Sequence, residues 1–175
     1  MQLMSRITDR EVRGGDPELL PYVSRYASRG VLFDHRADVA MMYVARTALY
    51  KLPGGGIEAK ETPEQAFLRE VREETGYDAE ILHGLGYIEE HKKANAFLQV
   101  SYCYIARAVQ EHEAKLTEHE KKLGMSVHWM TLNEAIEAVG YVLAACTDYS
   151  TTFMLQRDKA ILEAAATWLR APYSS

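Results

Sequence analysis

Residues 51–77 read KLPGGGIEAKETPEQAFLREVREETGY, which sets a glycine-rich loop directly before a segment dense in glutamate. The second half of this stretch carries the signals of a helix. Thr62 can act as the N-cap, Pro63 suits the first helical position, and Gln65 completes a capping box. Gly76 stands where a helix typically ends. We therefore predict one helix between these two ends.

In the predicted helix, residues 63–75, three carboxylates share one face. At about 100° per residue, Glu73 and Glu74 lie roughly 60° and 40° to either side of Glu70. The same arc includes the apolar Phe67, and like charges close to an apolar wall are costly. A glutamate cluster is ordinarily a solvated face. Here the apolar flank favours a bound hard cation, because Mg²⁺ takes carboxylate oxygens and leaves positions for water and phosphate.

The spacing across this stretch resembles the signature of the Nudix hydrolases, G-x5-E-x7-R-E-U-x-E-E-x-G-U, where U is a bulky apolar residue. Here the pattern runs from Gly55 through Glu61 to REVREETGY at residues 69–77. Seven fixed positions at roughly 7% each give a chance match on the order of 10⁻⁸ per register. Only Tyr77, aromatic at the last U, departs from it. A P-loop and a dinucleotide-binding fingerprint both fail on glycine spacing.

Strands and helices alternate around this stretch. Apolar runs that predict strands occupy residues 30–34, 38–46, 79–91, 96–109 and 126–131. The first two read as a strand pair, and residues 96–109 alternate apolar and polar side chains as a strand with one buried face does. Thr131 and Glu134 predict a second capped helix, and a last helix of roughly residues 151–169 has one apolar stripe. The element order predicts an α/β/α sandwich around a mixed sheet, the fold that the Nudix resemblance implies.

The chain of 175 residues suits a single domain. We expect this domain at residues 27–170, with residues 1–26 as an N-terminal extension packing on it and residues 171–175 as a C-terminal tail. A net charge of −5 argues against nucleic acid or an anionic membrane as a partner. The N-terminus has no apolar signal core and no run of 18 apolar residues occurs, so the cytoplasm is the expected location.

The two cysteines carry no recognisable motif. Cys103 and Cys146 lie far apart without a CxxC spacing. This favours two buried, reduced thiols over a zinc site or a disulfide framework.

The resemblance implies hydrolysis of a nucleoside diphosphate linked to another moiety, with water attacking phosphorus and Mg²⁺ or Mn²⁺ as cofactor. A diphosphate is highly anionic, so its site must neutralise charge and position the water. By the pattern of the family, the metal ligands are the carboxylates of Glu70, Glu73 and Glu74 and the backbone carbonyl of Gly54. One of the glutamates can also act as general base, and Glu70 is our choice.

The resemblance gives two further residues a catalytic role. Arg69 is expected to pair with Glu61, which would lock the loop against the helix, and to orient Glu73. Many members of the family add an acid from a later loop as an extra ligand or base. Glu118 and Glu120 occupy that region here, and Glu120 is the candidate.

Two residues outside the box are candidates to contact the substrate. Arg29 and Tyr50, which precede the first strand and the box, are candidates to line the substrate cleft. Residues 91–97, HKKANAF, have neither the proline that resembles the ADP-ribose type nor the tyrosine that resembles the dinucleoside-polyphosphate type. The expected partner is therefore a small nucleotide derivative of unassigned identity, and a homodimer is a candidate assembly.

Two other functions occur on the same fold. An isomerase of isopentenyl diphosphate uses a cysteine and a glutamate, a role for which Cys103 would be the candidate, but its box departs from the consensus while this one is intact. Non-catalytic Nudix modules usually lose a helix glutamate. Because all three glutamates are present, catalysis is favoured over both alternatives.

Overall fold

The computed structural model describes residues 1–171, so the expected tail at 171–175 lies outside the described residues except for Ala171. The strands are β1 (Leu3–Ile7), β2 (Arg25–Phe33), β3 (Val39–Val44), β4 (Leu49–Lys51), β5 (Gly54–Gly56), β6 (Tyr77–Lys92), β7 (Phe97–Glu111) and β8 (Met125–Met130). The helices are α1 (Asp9–Arg13), α2 (Pro63–Thr75), α3 (Glu118–Lys122), α4 (Leu132–Ala145) and α5 (Tyr149–Arg170), with a 3₁₀ turn at Lys93–Asn95. No helix within this described range has the length and apolar character needed to cross a membrane.

The strands form one eight-stranded sheet in the order β1-β6-β7-β2-β3-β4, with β5 paired to β2 and β8 paired to β3. The sheet is mixed, because β1 runs parallel to β6 and β2 runs parallel to β7 while the other pairs are antiparallel. Residues 1–26, expected as an extension, supply the edge strand β1, and β2 already begins at Arg25. The mixed sheet and its flanking helices confirm the predicted α/β/α class.

The two strands predicted as a pair, residues 30–34 and 38–46, are hydrogen-bonded to each other only next to the turn that joins them. β2 and β3 share a single bridge, between Phe33 and Val39. The long partner of β2 is instead β7, in parallel register from Arg25–Gln99 to Phe33–Arg107. β5 takes the other edge of β2. This pairing makes β2 a central strand and holds the glycine segment in the middle of the sheet.

β7 is buried on both faces, whereas the sequence pattern predicted one. Tyr104 and Ala106 pack on the α2 side, and Cys103 and Ile105 pack on the opposite side. A central strand covered by helices on both faces is expected to be buried on both. The polar residues on the second face are satisfied internally, since Gln99 donates from Nε2 to Glu90 (2.7 Å) and Ser101 (3.1 Å).

One helix covers one face of the sheet. α2 buries Ala66, Phe67 and Val71, and the Phe67 ring stacks on Tyr104 with centroids 5.4 Å apart. Tyr77, the aromatic departure from the box, packs at the edge of this layer. Its ring meets the Trp129 ring edge-on at 5.4 Å, so the larger side chain is accommodated.

α4 and α5 cover the other face. The apolar stripe predicted for the last helix is confirmed, with Ile161 and Ala165 buried and Met154 and Trp168 partly buried. The capping box that opens α4 is confirmed as well. Of the two cysteines, Cys103 is buried as predicted, but Cys146 at the end of α4 is only partly so, because the helix ends at the surface.

The β2–β7 pairing leaves no room for a side chain at Gly30. A Cβ there would lie 2.0 Å from the Tyr104 carbonyl oxygen, a backbone atom that the parallel register fixes in place. We expect Gly30→Ala to lower the free energy of unfolding by roughly 3 kcal/mol or more, measured by urea denaturation.

Gly140→Ala is the matched control. It lies in α4, and the nearest atom to its new Cβ would be Lys159 Cε at 3.9 Å. A helical glycine replaced by alanine should raise stability by about 0.5–1 kcal/mol. Equal effects at the two positions would contradict the account of the β2–β7 contact.

Candidate active site

The caps of α2 set the direction in which its carboxylates point. Thr62 Oγ1 accepts from the Gln65 N–H (3.2 Å) while Gln65 Oε1 accepts from the Thr62 N–H (2.9 Å). Gly76 ends the helix in the left-handed region with φ of 78°. With both ends fixed as predicted, Glu70 and Glu74 face the glycine strand β5.

The glycine strand is needed because these carboxylates come so close to it. A Cβ at Gly55 would lie 2.3 Å from Glu70 Oε1, so a side chain there would displace the Glu70 carboxylate. Glu74 is buried between two donors: Lys51 Nζ at 2.8 Å from Oε1, and the Gly54 N–H at 2.8 Å from Oε2. The loop and the helix are therefore joined through carboxylate oxygens.

Arg69 holds the other side of this junction. It donates from Nε and Nη2 to the two oxygens of Glu61 (2.7 and 3.1 Å) and from Nη2 to the Gly56 carbonyl (3.0 Å). From Nη1 it reaches Glu70 (2.9 Å) and Glu73 (3.2 Å). The hydrogen bond to Glu61, together with these acids, raises the pKa of Arg69. The expected pairing of Arg69 with Glu61 is present, and it ties the loop to the helix.

The electrostatics of Glu70 differ from those of an exposed acid. Burial raises the pKa of Glu70, the Glu74 and Glu73 charges add to the rise, and Arg69 opposes it. The folded protein therefore disfavours the ionised form of Glu70. A proton or a cation at this carboxylate would relieve the penalty.

An open cavity of about 460 Å³ adjoins the two carboxylates. Glu70, Glu74 and β5 form one wall, and basic side chains contribute much of the rest. The lining residues beyond the acidic wall are Arg25, Arg29, Lys51, Lys92, Gln99, Glu120, Ser150, Thr151, Met154 and Arg157. The cavity therefore combines hard oxygen donors with positive charge, which suits an anionic ligand held together with a cation.

The donor set fits a divalent ion of the magnesium type. Within residues 1–171, no three His, Cys, Asp or Glu side chains already converge as a complete metal cage. Mg²⁺ does not require one, since it usually takes one or two carboxylates and fills its other positions with water and substrate phosphate. Glu70 and Glu74 supply two carboxylates at the cavity, and the glycine backbone beside them leaves the approach free of side chains.

The remaining predicted site residues fall into three positions. Glu73 is half-exposed and turns towards Arg69, away from the cavity. Glu120 lines the cavity, but its Oε2 accepts from the Thr117 N–H (2.7 Å) and Oγ1 (2.8 Å) in a capping box. Arg29 lines the cavity from β2. The structure therefore brings Arg29 and Glu120 to the cavity but directs the Glu73 side chain elsewhere.

Tyr50 lies apart from the cavity. Its hydroxyl meets His128 Nδ1 at 3.2 Å, and its ring packs against those of Tyr43 and His128. It lines a separate surface hollow with residues of α4. The reason is that successive residues of a strand point to opposite faces of the sheet: Lys51 of β4 reaches Glu74 at the cavity, so Tyr50 points to the α4 side.

Sequence reasoning assigned no role to several basic residues of the cavity. The missed residues are Arg25, Lys51, Lys92 and Arg157. One signal was available: Arg157 and Asp158 lie between Met154 and Ile161, on the helix face predicted to be buried. Charged residues on such a face need partners. Arg157 pairs with Asp158 beside it and with Glu90 on β6, a strand that the sequence does not connect to this helix.

Comparison with known proteins gives the family. A model of the NUDIX domain matches residues 24–145, well over half of the chain. Three similar solved structures are, in order, a NUDIX hydrolase from Nitrosomonas europaea (19% identity, TM-score 0.60, covering 85% of this chain and 93% of that one), an ADP-ribose pyrophosphatase from Streptococcus suis (14%, 0.57, 86% and 96%) and the C. elegans Ap4A hydrolase (17%, 0.56, 85% and 99%).

Identities this low show a shared fold and nothing finer. No curated protein matches the sequence significantly. The domain match, the fold and the joined loop and acidic helix nevertheless agree with one another. The chain therefore belongs to the Nudix family of hydrolases.

Proposed function

We propose that the protein is a metal-dependent hydrolase of a diphosphate bond in a nucleoside diphosphate linked to another moiety, with water attacking phosphorus. The observation that carries the proposal is the approach of the Glu70 and Glu74 carboxylates to the glycine strand at the edge of a basic cavity. Carboxylates at the edge of a basic cavity favour the binding of an anionic substrate together with a cation. Membership of the Nudix family supports the same class of reaction.

The proposed cofactor is Mg²⁺ or Mn²⁺. The residues that would hold it are Glu70, Glu73 and Glu74, with the carbonyl of Gly54. A bound ion of this kind neutralises charge on the diphosphate and makes a water molecule more acidic. Glu73 would have to leave Arg69 first, to which it is held by one hydrogen bond of 3.2 Å.

Glu70 is the proposed general base. Burial raises its pKa, which moves the carboxylate towards the range in which it can accept a proton from water near neutral pH. Arg69 keeps the carboxylate in place by donating to Oε1. Glu120 is proposed as the extra metal ligand or base from the later loop. For this its carboxylate would have to leave the N-cap of α3.

The aromatic surface next to the cavity supports a nucleotide over a simple diphosphate. A second hollow shares Arg25 and Gly56 with the cavity and is lined by Tyr26 and Tyr102. The two rings stack with centroids 6.4 Å apart, and Tyr26 is 50% exposed. Exposed rings of this kind are platforms for a nucleobase. Two structural neighbours are named for nucleotide substrates, ADP-ribose and Ap4A, which favours the same substrate class here.

The two alternatives receive less support. The Cys103 thiol is buried, it donates to the Ser101 carbonyl oxygen (3.3 Å), and burial raises its pKa to about 12. A thiol in this state is a poor candidate for the reactive cysteine of an isomerase. The complete set of helix glutamates continues to favour catalysis over a binding module.

The same proposal covers the domain organisation, the partner and the location of the protein. Residues 27–170 would act as one Nudix domain, with residues 1–26 as its N-terminal extension. The partner would be a small nucleotide derivative in the cytoplasm, and the net charge of −5 disfavours nucleic acid. A homodimer is a candidate assembly.

Glu70→Gln should separate stability from metal binding. It removes the carboxylate whose ionisation the folded protein disfavours, so the metal-free variant should melt no lower than the wild type at pH 7. Millimolar Mg²⁺ or Mn²⁺ should raise the melting temperature of the wild type, because binding to the folded form stabilises it. Glu70→Gln should lose most of that rise, whereas exposed Glu118→Gln should keep it.

The pH dependence supplies a second readout. A raised pKa means that the folded protein binds more protons than the unfolded chain above the ordinary value of 4.5. Stability therefore falls as the pH rises through the pKa of Glu70, and this part of the fall should be missing in Glu70→Gln.

For the metal-binding test, a wild type with no metal-dependent stabilisation would refute the ligand assignment.

Hydrolysis in ¹⁸O-labelled water tests the reaction itself. We expect a screen of nucleotide diphosphate compounds with Mg²⁺ or Mn²⁺ to give a phosphate product that carries the label, because attack is at phosphorus. Glu70→Gln and Glu73→Gln should each lower kcat by orders of magnitude. Glu120→Gln should cost about tenfold to a hundredfold. Label on carbon, or turnover that survives a chelator, would overturn the mechanism.

Tyr26→Ala tests the nucleobase platform. Loss of one stacking ring is worth about 1–3 kcal/mol, so KM for a nucleotide substrate should rise roughly tenfold or more while kcat changes little. Tyr22→Ala, which removes an 83% exposed ring outside both hollows, is the control and should leave KM unchanged. An unchanged KM in Tyr26→Ala would place the base elsewhere.

A further inference from the structure

The floor of the cavity is a buried cluster of charges on three elements. Arg29 comes from β2, Glu90 and Lys92 from β6, and Arg157 and Asp158 from α5. Arg29 and Arg157 are 5% and 4% exposed, and both carboxylates are fully buried. Charges at this depth are costly unless each is matched by a partner.

The two carboxylates are already engaged by other groups. Arg157 reaches Asp158 (2.8 Å) and Glu90 (3.1 Å), and Asp158 also accepts the Leu52 N–H (2.8 Å). Lys92 Nζ lies 3.3 Å from Glu90 Oε1, close enough for an ion pair but without the geometry of a hydrogen bond. Three cations therefore share two carboxylates, which leaves one positive charge in excess.

The excess charge falls on Arg29. Its Nε is buried without a hydrogen-bond partner in the described part of the chain, and no carboxylate there forms an ion pair with its guanidinium. Burial and, after it, the charge of Arg157 lower the pKa of Arg29, and the charges of Asp158 and Glu90 oppose this only in part, yet a guanidinium stays charged at neutral pH. A buried cation that lines an open cavity without an ion-pair partner of its own can accept an anion from the cavity.

We propose that Arg29, supported by Lys92 and Arg25, forms an anion subsite that binds a phosphate group of the substrate other than those at the carboxylate wall. The subsite rests on the proposed function for its place in the reaction. Its substrate class would be nucleotide derivatives that carry an additional phosphate beyond the scissile diphosphate.

The chemistry of the cavity favours phosphate over other groups. A planar guanidinium offers paired donors that match phosphate oxygens, and Lys92 and Arg25 add charge beside it. None of the described residues that line this cavity is aromatic, so it offers a base no stacking surface. The second hollow, lined by Tyr26 and Tyr102, provides that surface next to the cavity. The cavity floor is then left for the anionic end of the substrate.

Binding of inorganic phosphate with EDTA present tests the subsite without metal or turnover. At constant ionic strength set with chloride, phosphate should raise the melting temperature of the wild type, and Arg29→Met should lose most of the rise. Arg107→Met is the matched control, because Arg107 is exposed and pairs with Glu80 on the surface. It should keep the full rise, which also corrects for the general stabilising effect of phosphate.

A second variant protects the test against misfolding. Arg25→Gln changes a side chain at the mouth of the cavity rather than its floor, and it should weaken phosphate binding several-fold. With an active enzyme, Arg29→Met should raise KM at least tenfold for a substrate with the additional phosphate and much less for its analogue without it. Equal changes in KM for the two would mean that the subsite binds free phosphate only, which overturns the substrate assignment.

The failure of the subsite and that of the proposed function are distinguishable. Phosphate binding that depends on Arg29 while every diphosphate substrate resists hydrolysis would refute the enzyme and keep the subsite. Metal-dependent hydrolysis with no phosphate-dependent shift in the wild type, or with equal shifts in Arg29→Met and Arg107→Met, would refute the subsite and keep the enzyme.

Discussion

The close contact between the α2 carboxylates and the glycine strand is the constraint on which the site depends. A side chain at position 55 would displace the Glu70 carboxylate from its place, and Glu74 takes the Gly54 N–H as a partner. This contact works only if β5 lies against α2, which requires β5 to pair with β2 in the middle of the sheet. The layered fold therefore serves to hold a backbone segment, rather than a side chain, next to the buried Glu74 and the partly buried Glu70.

The sequence predicts this junction well because its determinants are local. The caps of α2, the spacing of its glutamates and the pairing of Arg69 with Glu61 all lie within one stretch of the chain. Helical geometry then converts spacing into a shared face. The burial of Glu74 follows from the same geometry, since the apolar side chains on its face draw it inwards.

The cavity floor could not be predicted, because its parts meet only through long-range pairing. Arg29, Glu90 and Arg157 lie on β2, β6 and α5, and β7 lies between the first two. The parallel pairing of β2 with β7 has no local signal, so the sequence favoured the hairpin with β3 instead. Tyr50 precedes the box directly, yet it points to the face of β4 opposite Lys51 and packs on the α4 side.

The acidic wall and the basic floor of the cavity carry opposite charge and do not neutralise each other. Glu70 and Glu74 find their partners in Arg69 and Lys51, and the described residues include no ion pair between either acid and Arg29. A ligand that combines a cation with an anion would complement the acidic wall and the basic floor at once. A metal-bound diphosphate has that character: its cation would lie beside Glu70, and its anion beside Arg29, whose buried Nε has no hydrogen-bond partner in the described part of the chain.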